Sequence, residues 1–154
     1  MRMIAGLVLT TFCLFLALPA LAADSPEESA IKARQGHMEI RAFSLGPLVA
    51  MVKRDIEYDA DMADRLANDL QAMLDMSWEP LWISQTSTDD FPDQTDALPA
   101  IWQADSEFTG HEQSYADAVN ELAAVAADGL DALAPAVKDV AQACKACHDD
   151  YRED

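Results

Sequence analysis

Residues 132–154 read ALAPAVKDVAQACKACHDDYRED, a helical stretch that ends with Cys144, Cys147 and His148 packed into five positions. At about 100° per residue, side chains three and four positions apart share one helix face, so the two thiols and the imidazole project within roughly a third of the cylinder. A disulfide between positions i and i+3 would close a tiny loop and tie nothing distant together. The spacing C-x-x-C-H instead matches covalent attachment of haem c. Each thiol adds to a vinyl group on one porphyrin edge, and the adjacent imidazole stands under the iron as an axial ligand. Three other readings stay open on the motif alone. A zinc site needs four ligands, and outside the motif the chain adds only His37 and His111. A thioredoxin-like dithiol follows a strand and opens a helix, whereas here a helical stretch precedes the pair. The third is two buried structural thiols beside an ordinary histidine.

Working outward, this last helix is expected over about residues 130–152, with Pro135 tolerated in its first turns. Asp128-Gly129 is expected to close the preceding helix as a left-handed cap. That third helix is expected to open at Pro99 and to turn Ile101, Trp102, Phe108, Tyr115, Val119, Leu122 and Val125 toward a core. Between Trp78 and Asp96 the periodicity fails, and WEPLWISQTSTDDFPDQTD reads as a long connection anchored by Trp78, Trp82 and Phe91. A second helix is expected over residues 59–77, where Met62, Leu66, Leu70, Met73 and Ser77 share a face. Ser25-Pro26-Glu27-Glu28 is a capping box with proline at the first helical position, and it opens a long first helix. Along it Ile31, Gln35, Met38, Ala42, Leu45, Val49 and Val52 recur at helical spacing, and Gly46-Pro47 predicts a kink. No stretch alternates as a strand does. The expected fold is all-α, an antiparallel up-down-up-down four-helix bundle with haem c attached near its C-terminus.

The first 22 residues have one early arginine, an apolar run from Ile4 to Leu18 and small residues at Ala20 and Ala22. They read as a secretory signal peptide cleaved before Ala23, leaving one domain over residues 23–154. Cys13 leaves with the signal, so only the two motif cysteines remain. The expected compartment is the periplasm, with no membrane insertion after cleavage because no second apolar run of that length follows. Loss of Arg2 turns the formal charge of −18 into −19. That excess repels phosphate backbones, which argues against nucleic acid; it suits docking on basic patches of redox partner proteins, and equally a solvated acidic surface that only maintains solubility. No hydrolase triad, phosphate-cradling glycine loop or pair of catalytic carboxylates stands out, so no enzyme is expected.

The C-terminal motif, the tail H-D-D-Y-R after it and the R-Q-x-x-M pattern at Arg34, Gln35 and Met38 combine with the four-helix reading. Together they resemble the class II c-type cytochromes, the cytochrome c′ family, over nearly the whole of residues 23–154. The resemblance implies one covalent haem c on Cys144 and Cys147, His148 as proximal iron ligand, and Arg152 on the proximal side. It implies Arg34 and Gln35 near the propionates and Met38 on the distal side. In most members the residue at that place only blocks the iron, whereas in a low-spin subgroup a methionine there ligates it. FSLGPLVAMVKRDIEYDADMA, residues 43–63, is similar to the low-spin members. The expected function is therefore a periplasmic monohaem one-electron carrier with His148/Met38 coordination. The alternative is a five-coordinate protein that binds nitric oxide or other small gases. Met51, Met62, Met73 and Met76 are expected to pack the core, His37 to be exposed or at an interface and off the iron, and His111 to face solvent. The resemblance allows a homodimer through the first two helices, on a face bearing Met51 and Ile56; the acidic charge also suits a monomer.

Overall fold

A computed structural model describes residues 23–153; the expected signal peptide over residues 1–22 lies outside the described residues. The Ser25 hydroxyl accepts from the Glu28 amide at 3.1 Å while the Glu28 carboxylate accepts from the Ser25 amide at 2.8 Å. This reciprocal cap starts α1, Pro26–Lys53. The helix continues through Gly46-Pro47. The carbonyl that proline leaves without a donor belongs to Phe43, on the exposed side, where water can serve it. Arg54 ends the helix in the left-handed region at φ 63°.

Asp59 caps α2, Ala60–Ala72, by accepting from the Met62 amide at 2.9 Å. The connection that follows contains short 3₁₀ turns at Met73–Asp75, Glu79–Leu81 and Pro99–Trp102. α3 spans Phe108–Val125 and α4 spans Leu130–Tyr151. Pro99 therefore opens only a single tight turn. The start of α3 is set from far away, because the Tyr151 hydroxyl at the end of α4 accepts from the Glu107 amide at 2.8 Å. Gly129, at φ 107°, stands at the N-cap of α4 and does not cap α3. Tyr151→Phe removes that hydroxyl and leaves the partly buried Glu107 amide at the start of α3 short of an acceptor. We expect a loss of about 1–2 kcal/mol in urea unfolding of the haem-loaded protein.

α1 packs on α2 and α4, and α3 on α2 and α4, which is the up-down-up-down bundle; among the described residues there is no strand, only an antiparallel bridge between Ala97 and Arg152. One end of the bundle is a dry core of Leu48, Met51, Ala63, Leu122, Ala126 and Leu133. These lie late in α1, early in α2, at the end of α3 and early in α4, so the core gathers around the α1–α2 and α3–α4 turns, and it extends along the bundle to Leu70 and Val140. At the other end, a smaller cluster of Ala97, Ile101, Phe108 and Tyr151 packs with Trp78, Trp82, Trp102 and Cys147 under the long connection.

Three expectations for side-chain direction change. The buried stripe of α1 runs through Ile31, Arg34, His37, Ser44, Leu48 and Met51, while Gln35 and Ala42 are exposed. The polar members go inside because partners from distant segments meet them there. Met51 is 1 % exposed, so it cannot share a dimer face with the exposed Ile56; the apolar side chains that α1 does show to solvent are Ile40 and Phe43. Met76, just past the last turn of α2, is 51 % exposed and packs no core.

Candidate haem site

The end of α4 brings Cys144, Cys147 and His148 to the junction of two cavities. The outer one, about 480 Å³, is rimmed by Arg34, Gln35, Thr95, Asp96 and Arg152 and floored by Trp82, Ile101, Phe108 and Tyr151. The inner one, about 210 Å³, lies among all four helices, with Leu45, Leu70, Val140 and Ala143 among its apolar lining. Met38, Cys147 and His148 line both, and Cys144 lines the inner one.

The donor groups suit a covalently held porphyrin. Both thiols are free and half-buried. Burial pushes the Cys144 thiol up, and burial followed by the Glu112 carboxylate pushes Cys147 up to about 11. They are thus kept as thiols, unlike the depressed thiolates of reactive or zinc-binding sites. Burial, then the nearby Arg152 charge, lowers the His148 pKa, so its imidazole is neutral and has a lone pair to offer iron. Among the described residues no group of three or more Cys, His, Asp or Glu gathers as a metal cluster. A ring fixed by two thioethers needs only the single imidazole from the protein.

Arg152, exposed at the C-cap of α4, lies beside His148 and on the outer cavity. Its amide donates to the His148 carbonyl at 3.1 Å. Arg34 and Gln35 also line that cavity, but both hold the long connection as well. The Arg34 guanidinium is 3 % exposed and donates to the Thr86 hydroxyl at 2.7 Å, to the Thr86 carbonyl and to the Thr95 hydroxyl at 2.7 Å. Its Cζ lies 5.1 Å and 5.9 Å from the Trp82 and Trp102 ring centroids. Burial pushes its pKa down to about 10, still charged at neutral pH. The Gln35 amide donates to the Gln94 carbonyl at 2.7 Å.

Met38 is half-buried, with its sulfur 4.0 Å from Arg41 Nη1. Sequence reading passed over Arg41, which makes a largely buried ion pair with Glu112 of α3 at 3.4 Å and stacks on Tyr115 at 4.2 Å. Both charges looked like solvated surface, and no local signal marks a pair joined across 71 positions. The histidines also differ from expectation. His37 is 7 % exposed, with Nε2 buried and unpartnered, and burial followed by Arg41 lowers its pKa. His111 reaches Asp150 at 3.1 Å and sits edge-on to Tyr151.

Comparison with known proteins places this geometry. The sequence family described as Cytochrome C' matches residues 29–152. The chain is 38% identical over 139 residues to cytochrome c' of Cereibacter sphaeroides, covering 90% of this chain and 93% of the relative. It is 35% identical over 154 residues to cytochrome c-554 of the same organism, covering 99% of each. Among solved structures, cytochrome c' from Rhodobacter sphaeroides superposes with a TM-score of 0.79 at 38% identity, over 84% of this chain and 98% of that one. A nitric oxide complex of a cytochrome c prime variant from Alcaligenes xylosoxidans superposes with a TM-score of 0.73 at 31% identity, over 86% of this chain and 99% of that one.

These findings overturn the expectation of a low-spin one-electron carrier with His148/Met38 coordination. The matched family is cytochrome c′, as are the 38% identical relative and the superposed structures, and a matched structure holds nitric oxide, the use that the alternative expectation names. The physical reason is one of occupancy, since a thioether on the sixth position leaves no place for a diatomic ligand, and here the Met38 sulfur faces a guanidinium. With the match spanning most of residues 23–153 and C-x-x-C-H at the end of the fourth helix of such a bundle, the chain belongs to the cytochrome c′ family and carries covalently attached haem c.

Proposed function

We propose that this protein is exported, loses residues 1–22, and binds nitric oxide or a similarly small gas at a five-coordinate haem c in the periplasm. The observation that carries the reading is the match to the cytochrome c′ family over residues 29–152, with C-x-x-C-H at the end of α4. The nitric oxide complex of the Alcaligenes xylosoxidans relative supports it. Bound haem supplies an iron that takes one small ligand on the face opposite its protein ligand.

The chain's own residues do the rest. Cys144 and Cys147 fix the ring to α4, so that local opening of the bundle does not release it. His148, neutral and flanked by Arg152, serves as the proximal ligand. Met38 blocks the opposite face without bonding to it, and Leu45, Leu70, Val140 and Ala143 keep that space dry. A dry, narrow approach favours small uncharged guests over hydrated anions.

We expect the reduced, haem-loaded protein to show a high-spin optical spectrum that shifts when carbon monoxide is added. A low-spin spectrum indifferent to carbon monoxide is the contrary result. The protein should also gain the mass of one haem, which survives acid-organic extraction.

A further inference from the structure

α1 carries a second apolar stripe besides the one it buries. Ala33, Gly36, Ile40, Phe43, Pro47 and Ala50 follow one another at steps of three, four, three, four and three residues, with no charged residue among them. Alternating steps of three and four are the a and d positions of a heptad, and from Ala33 to Ala50 they draw a seam about 27 Å long on one side of the helix. The seam faces water. Phe43 is 77 % exposed and Ile40 54 %, the two most exposed large apolar side chains among the described residues. Gly36 leaves a gap in it, since a side chain built there would meet nothing within 4 Å. None of the six residues lines the outer or the inner cavity, so haem seated there does not cover them.

Charge decides what can cover such a stripe. The chain has a formal charge of −18, so two copies repel one another in most orientations. The outer faces of α2 and α3 show Asp61, Asp64, Asp69, Asp117 and Glu121 to solvent, answered only by Arg65. α1 is the exception, because from Ser29 to Lys53 the basic Lys32, Arg34, Arg41 and Lys53 stand against Glu39 alone. Two copies that meet along α1 bring apolar surface together without setting carboxylate against carboxylate. The stripe also complements itself in shape. Gly36 and Phe43 flank Ile40 at four and three residues, so in an antiparallel pair turned about Ile40 each Phe43 comes over the gap at the other copy's Gly36. We propose that this stripe is a two-fold docking surface for a second copy of the chain, with Phe43 of each copy seated at Gly36 of the other and the acidic outer face of α2 held away from the contact. The face expected from the sequence, with Met51 on it, is closed to such a contact by the burial of Met51.

Sedimentation equilibrium of the haem-loaded protein should give a dimer. Its dissociation constant should fall as salt is raised, since screening weakens the repulsion between acidic copies while the seam itself holds no charge to be screened. Phe43→Glu should raise that constant at least about a hundredfold, because the two-fold contact loses two apolar anchors and gains two carboxylates. Phe43 packs little against its own bundle, so the far-UV circular dichroism of this variant should match that of the parent. Gly36→Leu fills the gap without adding charge and should weaken the dimer about tenfold; leucine suits a helix better than glycine, so a failing fold does not mimic this result. Met76→Glu, at an exposed apolar side chain off the seam, should leave the dissociation constant unchanged. A parent protein that stays monomeric to about 1 mM overturns the docking surface, even if some other protein binds there. A dimer that Phe43→Glu leaves intact has its contact elsewhere and overturns it too. Weakening by Phe43→Glu with no effect of Gly36→Leu overturns the seating of Phe43 at Gly36.

Discussion

Replacing Cys144 and Cys147 together by alanine is expected to give a colourless chain that lacks the added mass of haem and melts without a cooperative transition. The two substitutions themselves remove little volume. Their consequence comes from the space at the junction they occupy, where cavities of about 480 Å³ and 210 Å³ adjoin. Left dry, an apolar cavity the size of the inner one costs about 5 kcal/mol at the usual penalty per unit of cavity volume. A domain of this length has only about 5–15 kcal/mol of stability in total. The alternative is to wet the lining, which exposes Leu45, Leu70, Val140 and Ala143 to water and forfeits comparable hydrophobic stabilisation. Collapse is hindered because α4 is anchored at both ends, by the dry core at Leu133 and Val140 and by Tyr151 against α3. Far-UV circular dichroism should therefore show helix that is lost gradually on heating. A haem-free variant that unfolds in one sharp step, near the melting temperature of the loaded protein, would show that the bundle does not depend on the group at its centre.

The features legible in the sequence were those written locally. Ser25, Pro26 and Glu28 announce a helix start within four positions, and the structure forms the cap that they spell. Cys144, Cys147 and His148 point to haem c by their spacing, and the resemblance carried by the rest of the chain closes the other readings of that motif. Apolar residues of α2, α3 and α4 fall on the faces that a 3.6-residue period assigns, since those faces meet ordinary core. The inside of α1 was not legible in this way. Arg34, His37 and Ser44 are polar, and a reader of periodicity places them outside. Arg34 is buried only because Thr86 and Thr95, 52 and 61 positions away, supply acceptors for its N–H groups. The start of α3 was misplaced at Pro99 for the same reason, because the hydroxyl that fixes it comes from Tyr151, 44 positions later. Arg41 and Glu112 belong to the same class: each alone is an ordinary surface charge, and only the bundle that brings α1 and α3 within side-chain reach makes them a largely buried pair. Partnerships across long sequence separation leave no periodic trace, and this site is built largely from them.

The strongest of these partnerships gives the other large effect: Arg34→Leu should destabilise the haem-loaded protein by about 3 kcal/mol and open the long connection to proteases. Leucine removes the cost of burying a cation, the cost that pushes the Arg34 pKa down to about 10. It restores none of what the guanidinium satisfies. The Thr86 carbonyl loses the N–H from Arg34, and the Thr86 and Thr95 hydroxyls each lose a charged donor. Thr86 keeps its bond to the Ile83 carbonyl at 2.7 Å and Thr95 its bond from the Ala97 amide at 3.2 Å, so the local turns survive. What fails is their attachment to α1, together with the stacking on Trp82 and Trp102. The loss should spread to the end of α4, because the same connection is tied there by Leu98 N to Tyr151 O at 2.9 Å and Glu153 N to Asp96 O at 2.8 Å. Those two bonds flank Arg152, beside His148. Limited proteolysis should cut the variant between residues 83 and 96 at protease levels that leave the parent intact, and urea unfolding should shift to a lower midpoint. Arg34→Lys should recover little, since a point charge cannot reach three acceptors arranged for a planar fork. Parent-like protection of the connection in Arg34→Leu would mean that the strap is held by its backbone bridge to α4 alone.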